Sequence, residues 1–200
     1  MNLAQKLVRP HPVEGSLTAG SIGDDVSTDD IMPAGARVMP FWSNIAKTSE
    51  LPFEPIDDTY PERAKGGGRH AIVAGTNYRQ GSSRENAALA PRHLGLQTVP
   101  AKGFARIHWQ NLVNFGVLPL TFVDPSDYAA LKAGDVVEIK GIAAALATGP
   151  DIAAHVNGKP LRLKHDLSRR QIDLLLQGGV INWLRERVGA ASGSSVSKIA

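Results

Sequence analysis

Short apolar runs alternate along this chain with segments in which apolar residues recur at helical spacing. The runs are typical of buried strands and lie at residues 70–74, 96–100 and 117–123. The helical spacing predicts helices over residues 82–94 and 104–115. Strands alternating with helices predict an α/β domain, a single unit with a mixed β-sheet flanked by helices.

The second half of the chain continues this pattern, with clear helix starts. Asp124 followed by Pro125 predicts a short helix, because an N-cap residue precedes proline at the first helical position. Ser168 and Gln171 have the spacing of a capping box for a helix over residues 169–177. Pro119 predicts that its strand lies at an edge or an end of the sheet. Further candidates are strands at 136–140 and 161–164 and helical turns at 180–188.

The two ends of the chain and one long segment fall outside this alternation. Residues 1–20 hold a short apolar pattern broken by prolines and are predicted to form an N-terminal arm. The folded domain is predicted over residues 21–188, and residues 189–200 are predicted to be a disordered tail. Residues 41–63 contain three prolines and no sustained period, which predicts a long excursion over the surface.

Composition and charge narrow the class of protein. The 200 residues suffice for one domain, and 42% hydrophobic with 20% charged residues is ordinary for a folded globular protein. The net charge of +3 is too small to indicate nucleic acid or an anionic membrane. The absence of cysteine excludes a thiolate nucleophile and an iron–sulfur cluster held by this chain's own thiolates. No membrane span or signal pattern is evident, so a cytoplasmic location is the default expectation.

Residues 75–85 are the sharpest local feature, since a strand enters a polar, glycine-punctuated turn just before a predicted helix. Free N–H groups at such a corner favour an anion. The positive charge of Arg84 in the first helical turn is unfavourable next to the positive end of the helix dipole. Its guanidinium group, however, can bind a carboxylate through two hydrogen bonds. Ser82 and Glu85 also fit a capping box. A serine base would need strong local positive charge, so a capping role and a chemical role for Ser82 both stay open.

Acidic residues cluster before the first apolar strand run. Asp24, Asp25, Asp29 and Asp30 lack the ligand spacing of a calcium loop, and turns and helix caps are the favoured interpretation.

The remaining candidates for chemistry are weaker. His93 and His108 lie on predicted helices and are expected to be solvated or hydrogen-bonded rather than catalytic. No pair of histidines has metal-ligand spacing, so no metal site is predicted. Arg106 could face a site, although a helix surface is the favoured position.

Four motifs occur in order: G-D-x-V-S-T-D-x-I, G-S-S-R-E-x-A-A-L-A-P-R-H-L-G, A-K-x-F-A-R-I-H and N-F-G-V-L-P-L-T-F. Together they resemble the swivelling C-terminal domain of aconitases, which is also the small subunit of isopropylmalate dehydratase and homoaconitase. The resemblance covers about residues 22–188, and residues 156–184 look most like the shorter, bacterial-type aconitases. The opening M-N-L-A-Q-K-L resembles the start of full-length aconitases.

The resemblance implies a hydro-lyase that isomerises a hydroxy tricarboxylate by dehydration and rehydration. By carry-over onto matching positions, Ser82 would be the catalytic base. Substrate carboxylates would be bound by Gly81, Ser83 and Arg84. Asp29 and Gln80 would lie at the edge of the site.

The resemblance also implies a cofactor and a partner. In the family a 4Fe–4S cluster, held by cysteines of other domains, acts as Lewis acid on the leaving hydroxyl. A chain without cysteine would bind no cofactor itself and would be inactive alone. The expected partner is therefore a cysteine-bearing large catalytic subunit.

Five positions depart from the family pattern. Trp42 stands where relatives usually have an arginine that grips a substrate carboxylate. Arg79 replaces a glycine, Asn86 and Asp30 each replace a histidine, and Gly103 replaces a serine. Either the substrate differs or catalytic constraint has been relaxed. The alternatives are therefore an isopropylmalate dehydratase or homoaconitase small subunit, and a non-catalytic carboxylate-binding remnant. RNA binding is disfavoured by the small net charge.

Overall fold

A computed structural model describes residues 15–36 and 38–196. The strands of this part of the chain are β1 (Gly15–Ser21), β2 (His70–Val73), β3 (Leu96–Ala101), β4 (Leu118–Phe122), β5 (Val136–Ile139), β6 (Asp151–Val156) and β7 (Lys159–Lys164). Its α-helices are α1 (Thr28–Ile31), α2 (Ile45–Thr48), α3 (Tyr60–Gly67), α4 (Asn86–His93), α5 (Arg106–Asn114), α6 (Ile142–Thr148), α7 (Arg169–Leu176) and α8 (Val180–Val196). Short 3-10 helices occupy Met39–Phe41 and Pro125–Ala130.

The strands close into a barrel in the order β1-β2-β3-β4-β7-β6-β5. Strands β1 to β4 pair in parallel, and β5, β6 and β7 pair antiparallel. The two halves join where β1 pairs with β5 and where β4 pairs with β7, both antiparallel. The predicted mixed sheet flanked by helices was therefore wrong, although the α/β class holds. Closure depends on strand pairs distant in sequence, which a local apolar pattern does not encode.

Alternate residues of the strands divide the core into two clusters. Leu17, Val73 and Leu120 belong to a cluster built from six of the barrel strands together with α6, which places it inside the barrel. Ile72 and Leu96 belong to a second cluster, shared with the outer helices and with Phe53 and Tyr60. Because side chains point alternately to opposite faces of a strand, β2 contributes to both clusters.

The strands and helices predicted over residues 70–123 exist, with shifted boundaries. The largest shift is at the helix predicted from residue 82, which begins at Asn86. Pro119 is the second residue of β4 and so lies near the end of its strand, one of the two predicted positions; β4 is not an edge strand, because the barrel is closed. Strand β4 pairs with β7 only at Thr121 and Phe122. No residue of β7 is paired with Pro119, so the N–H group that proline lacks is not needed for a hydrogen bond to β7.

The later helix starts agree with the sequence. Asp124 caps the 3-10 helix by accepting from the Ser126 N–H at 2.9 Å. Gln171 Oε1 accepts from the Ser168 N–H at 2.8 Å, which is half of the predicted capping box. Two elements in this half were not predicted, namely α6 and β6. In β6 buried and exposed residues alternate, and polar residues lie on its outer face.

Three predictions fall at the ends and in the long loop. Residues 1–14 of the predicted arm lie outside the described residues, and residues 15–20 form most of β1. The predicted disordered tail is helical as far as Val196, and residues 197–200 lie outside the described part. The segment 41–63 is not merely superficial, because Phe53 is 1% exposed. Within residues 15–36 and 38–196, no helix combines the length and apolarity needed to cross a bilayer.

Candidate functional site

The carboxyl ends of the parallel strands β1, β2 and β3 bring the sequence motifs together. The segment after β1 meets the segment after β2, since the Thr28 N–H donates to the Gln80 carbonyl at 2.9 Å. The segment after β3 joins them where the Tyr78 N–H donates to the Gly103 carbonyl at 2.9 Å. In α/β proteins ligands bind at this end of parallel strands.

The two serines lie in an exposed segment that precedes the helix. Helix α4 begins at Asn86, and its N-cap, Glu85, has helical dihedral angles and no side-chain capping bond. Ser82 and Ser83 are exposed and lie before this start. The capping box of Ser82 with Glu85 is therefore absent, so capping does not explain Ser82.

The carbonyl groups of this serine segment, Ser82 to Arg84, are all held by side chains. Thr28 Oγ1 lies 3.0 Å from the Ser82 carbonyl oxygen, and Asn111 Nδ2 lies 3.5 Å from that of Ser83. Arg79 Nη2 donates to the Arg84 carbonyl. Three donors from different parts of the chain therefore fix the backbone. Thr28 and Asn111 were not predicted as site residues from the sequence, although Thr28 belongs to the first of the four motifs.

The N–H groups of the serine segment are available to a ligand. Those of Ser82, Ser83 and Arg84 have no acceptor within the part of the chain that the structure describes. Successive unpaired N–H groups form a concavity that binds anions. The serine segment thus has the donor pattern of a carboxylate site.

Arg84 and Asp29, both predicted at the site through the resemblance, are in direct contact. Arg84 Nη1 lies 2.8 Å from Asp29 Oδ1 and 2.8 Å from the Met32 carbonyl. The hydrogen bond from Arg84 lowers the pKa of Asp29, against a smaller opposing effect of burial. An incoming carboxylate must use the other nitrogens of Arg84 or displace Asp29.

Gly81 and Gln80 shape the turn before the serines. Gly81 has a φ of +100°, which glycine adopts without strain. Gln80 Nε2 donates to the Asp25 carbonyl at 3.1 Å, and its Oε1 accepts from Asn77 Nδ2 at 2.9 Å. The Gln80 side chain therefore ties the turn to the segment after β1.

The neighbouring aspartates serve as turn and cap residues, as the sequence predicted. Asp30 and Ser27 form a capping box for α1. Asp24 accepts from the Thr76 N–H at 2.7 Å and pairs with Lys102 Nζ at 3.0 Å. These two contacts, with the Thr76 N–H as the larger cause, lower the pKa of Asp24. Among the described residues, no cluster of histidine and acidic side chains could hold a metal ion.

Two of the departures from the family pattern touch each other beside Arg84. Asn86 Nδ2 donates to the Trp42 carbonyl at 3.3 Å. Trp42 also lines a cavity of about 380 Å³ together with Ala34, Met39 and Arg84. The cavity next to the arginine is therefore walled by apolar side chains.

A third departure, Arg79, is buried with two neighbours. Arg79 and Tyr78 are each 1% exposed, and His108 is fully buried. Neither ring nitrogen of His108 has a partner among the described residues, so the expectation of a solvated or hydrogen-bonded histidine was wrong. Burial, with a smaller contribution from the Arg79 charge, lowers the pKa of His108 far below its usual value.

Arg106 lies on the exposed start of α5, as the sequence favoured. It lines a separate cleft of about 970 Å³ with Trp109 and Lys164, on the face between α5, β4 and β7.

This chain is similar to parts of proteins that are named as hydratases and dehydratases. The family model described as the aconitase C-terminal domain matches residues 34–125. A putative mitochondrial aconitate hydratase of Emericella nidulans is 41% identical over 152 residues, which are 72% of this chain and 19% of the relative. The mitochondrial homocitrate dehydratase of Saccharomyces cerevisiae is 41% identical over 122 residues, which are 56% of this chain and 16% of the relative. This chain thus spans about a fifth of these curated relatives.

A crystal structure of 3-isopropylmalate dehydratase (leuD) from Methanocaldococcus jannaschii shares the fold with a TM-score of 0.72 at 30% identity, and the match covers 90% of this chain and 98% of that one. The fold is an α/β domain with a closed barrel, and the exposed serine segment lies at the carboxyl ends of its parallel strands. The chain belongs to the aconitase C-terminal domain family, which confirms the resemblance of the sequence motifs.

Proposed function

We propose that this chain supplies the base and the carboxylate-binding groups of a hydro-lyase that isomerises a hydroxy tricarboxylate by dehydration and rehydration. One observation carries the proposal. Side chains hold the carbonyl groups of the serine segment, and its N–H groups have no acceptor among the described residues. The side chain of Arg84 lies at the end of the same segment. Family membership supports the reaction class.

In the proposed reaction Ser82 removes a proton from the carbon next to a substrate carboxylate. The C–H electron pair becomes the new carbon–carbon double bond as the neighbouring C–O bond breaks and hydroxide leaves. Rehydration adds water across the double bond in the opposite orientation, so that the hydroxyl goes to the carbon that lost the proton and a proton goes to the carbon that lost the hydroxyl. A serine hydroxyl is a weak base at neutral pH, so its alkoxide needs positive surroundings. The N–H groups of the segment and the guanidinium group of Arg84 provide them.

The neighbouring residues bind and orient the substrate. Arg84 and the N–H groups of Gly81 and Ser83 hold a carboxylate, and charge-assisted hydrogen bonds make this contact strong. Asp29 and Gln80 stay at the edge, where Asp29 orients Arg84 until the carboxylate arrives.

The proposal includes a partner chain. The 4Fe–4S cluster that the family implies needs thiolate ligands, and this chain has no cysteine, so its residues do not fit the cluster. The cluster is therefore assigned to a cysteine-bearing large subunit. The match over 98% of a separate dehydratase chain supports such a division. The cytoplasmic location stays a prediction, and several relatives are named as mitochondrial.

Replacement of Ser82 by alanine tests the base. The assay mixes the chain with a candidate large subunit and follows the absorbance of the double bond formed on dehydration. Ser82→Ala should lower kcat by at least about 100-fold, as expected for loss of a positioned base. Ser126→Ala is the matched control, since Ser126 is an exposed serine bonded only to Asp124. The control should leave turnover unchanged.

Unchanged kcat in Ser82→Ala would contradict the assignment of the base. If no partner supports turnover but citrate raises Tm in a way that depends on Arg84, the chain is a non-catalytic carboxylate binder instead.

The cavity beside Arg84 favours a second candidate substrate class. Its apolar walls, Ala34, Met39 and Trp42, suit an alkyl group better than a third carboxylate. An isopropylmalate-type substrate is therefore the alternative to a tricarboxylate. A comparison of kcat/KM for citrate and isopropylmalate with the assembled enzyme separates the two, and Trp42→Arg should shift the ratio toward citrate.

A further inference from the structure

The cluster of Tyr78, Arg79 and His108 buries polar atoms that no protein group satisfies. The atoms are the Tyr78 hydroxyl oxygen, Arg79 Nε and Nη1, and both ring nitrogens of His108, and none has a partner in the described part of the chain. All three residues are at most 1% exposed. Buried polar groups are satisfied in the great majority of cases, so a cluster of orphans indicates an unseen ligand or water.

The three side chains form one group rather than three separate defects. The rings of Tyr78 and His108 meet edge to face with centroids 5.1 Å apart. The charge of Arg79 acts on both neighbours, since it lowers the pKa of His108 and interacts with the Tyr78 phenol. Arg79 is therefore close enough to both rings for its charge to act on them.

A second buried arginine shows what a satisfied guanidinium looks like in this fold. Arg92 is 8% exposed, and its Nε and Nη1 donate to the carbonyls of Phe115 and Leu96 at 3.2 and 3.4 Å. Burial lowers the pKa of both arginines to about 10. In Arg79 the same two nitrogens, Nε and Nη1, have no acceptor among the described residues. Both arginines are buried, so the difference between them is the acceptor that is missing beside Arg79.

The missing group must accept hydrogen bonds and carry negative charge. Arg79 offers up to three N–H bonds from Nε and Nη1, and Tyr78 and His108 add further donors. Among the described residues, no carboxylate forms an ion pair with Arg79, although the exposed Glu85 attracts its charge. A water molecule could accept some of these bonds, but it would add no negative charge beside the buried guanidinium.

We propose that Tyr78, Arg79 and His108 enclose a binding site for a small monovalent inorganic anion, of which chloride is the probe. The near-complete burial of the three residues limits the occupant to a small ion. The bound anion acts behind the serine segment, because the remaining nitrogen of Arg79, Nη2, holds the Arg84 carbonyl. The site does not depend on the proposed catalytic function and can be tested on this chain alone.

Thermal unfolding in matched salts tests the site. Tm should rise in sodium chloride and saturate, relative to sodium gluconate of the same ionic strength. The rise should be about 3–6 °C when chloride reaches roughly ten times its dissociation constant. Bromide should act in the same way, and sulfate, which is too large, should not show the saturable rise.

Three variants connect the effect to the cluster. Arg79→Met should abolish the chloride-dependent rise and fold at least as well in gluconate, because it removes a buried charge that lacks a partner. Tyr78→Phe should raise the apparent dissociation constant for chloride severalfold. Arg92→Met is the control, and its Tm should keep the full response to chloride.

Crystals grown with bromide give a direct readout that survives the failure of any variant to fold. An anomalous peak within hydrogen-bonding distance of Arg79 Nε or Nη1 and of the Tyr78 hydroxyl would support the site. A water there without anomalous signal, or bromide only at surface positions, would overturn it. Equal Tm in chloride and gluconate would also overturn it, whatever the activity of Ser82.

Discussion

Two arginines hold the serine segment from opposite sides. Arg79 precedes the segment, and Arg84 is its last residue. Arg84 reaches outward to Asp29 and to the Met32 carbonyl, and its side chain is 18% exposed. Arg79 donates from the interior to the Arg84 carbonyl. The side chain of one arginine is therefore available to a ligand, whereas the other fixes the backbone behind Ser82.

The pair of Asp29 with Arg84 predicts a pH-dependent contribution to stability. Because Arg84 holds the folded-state pKa of Asp29 below its ordinary value of 3.8, the pair stabilises the fold above that value. The contribution disappears as the pH falls through the lowered pKa. Asp29 is 66% exposed, so the effect should stay below about 1 kcal/mol.

Urea unfolding of wild type and Asp29→Asn checks this prediction. The variant should be less stable at pH 7 and indistinguishable from wild type near pH 2. Asp151→Asn is the control, since its contact with Arg162 is 3.9 Å long and exposed on both sides. A difference for Asp29→Asn that persists unchanged at low pH would show that the pair is not its cause.

The residue types of the site could be predicted, but their contacts could not. The motif around Ser82 and Arg84 indicated an anion site from sequence. The partners Asp29 and Thr28 lie more than 50 positions away, and only the strand order brings them to the serines. The buried state of Arg79 was likewise invisible, because an arginine in a turn is ordinarily exposed.

At the scale of elements, two connections pack backbone against backbone. The turn from α5 to β4 contains Gly116, with a φ of +72°. It rests on Gly178 in the turn between α7 and α8, where a β-carbon on Gly116 would lie 2.6 Å from the Gly178 carbonyl carbon. Both the dihedral angle and the close approach therefore require glycine.

Gly116→Ala should lower the free energy of unfolding by about 2–4 kcal/mol, because left-handed strain and steric overlap add. Gly158→Ala is the matched control. Gly158 also has a positive φ, +80°, but a β-carbon there meets nothing within 4 Å. The control should lose only about 1 kcal/mol in chemical unfolding. Equal losses would show that the contact with Gly178 does not matter.

Elements with local signals were predictable, and those defined by distant partners were not. The helices beginning after Asp124 and Ser168 carry their own caps, so their starts were correct. The start of α4 was wrong although Ser82 and Glu85 fit a capping box. The carbonyls of Ser82 and Ser83 accept hydrogen bonds from the distant side chains of Thr28 and Asn111, so the helix begins further along the chain.

At the scale of the whole molecule, β1 connects the two halves of the barrel. It pairs in parallel with β2 and antiparallel with β5, and about 120 residues separate Gly15 from its partner Ile139. Local periodicity carries no information on such a pair, which is why the closed barrel could not be predicted.

We expect a substitution of Leu17 in β1 to destabilise both halves of the barrel together. Leu17 is 0% exposed inside the barrel, so Leu17→Ala should cost about 2–5 kcal/mol. Amide hydrogen exchange should become faster in β2 and in β5 to the same degree. Leu184→Ala, at a residue 49% exposed, should change stability by less than about 0.5 kcal/mol. Faster exchange in one half alone would contradict a single cooperative barrel.

The three donors that hold the serine segment belong to separate regions, with Thr28 on α1, Arg79 in the turn itself and Asn111 on α5. Residues 75–85 alone would therefore lose their shape if they were grafted onto a foreign scaffold. A transplant of this corner into another protein needs α1 and α5 as well.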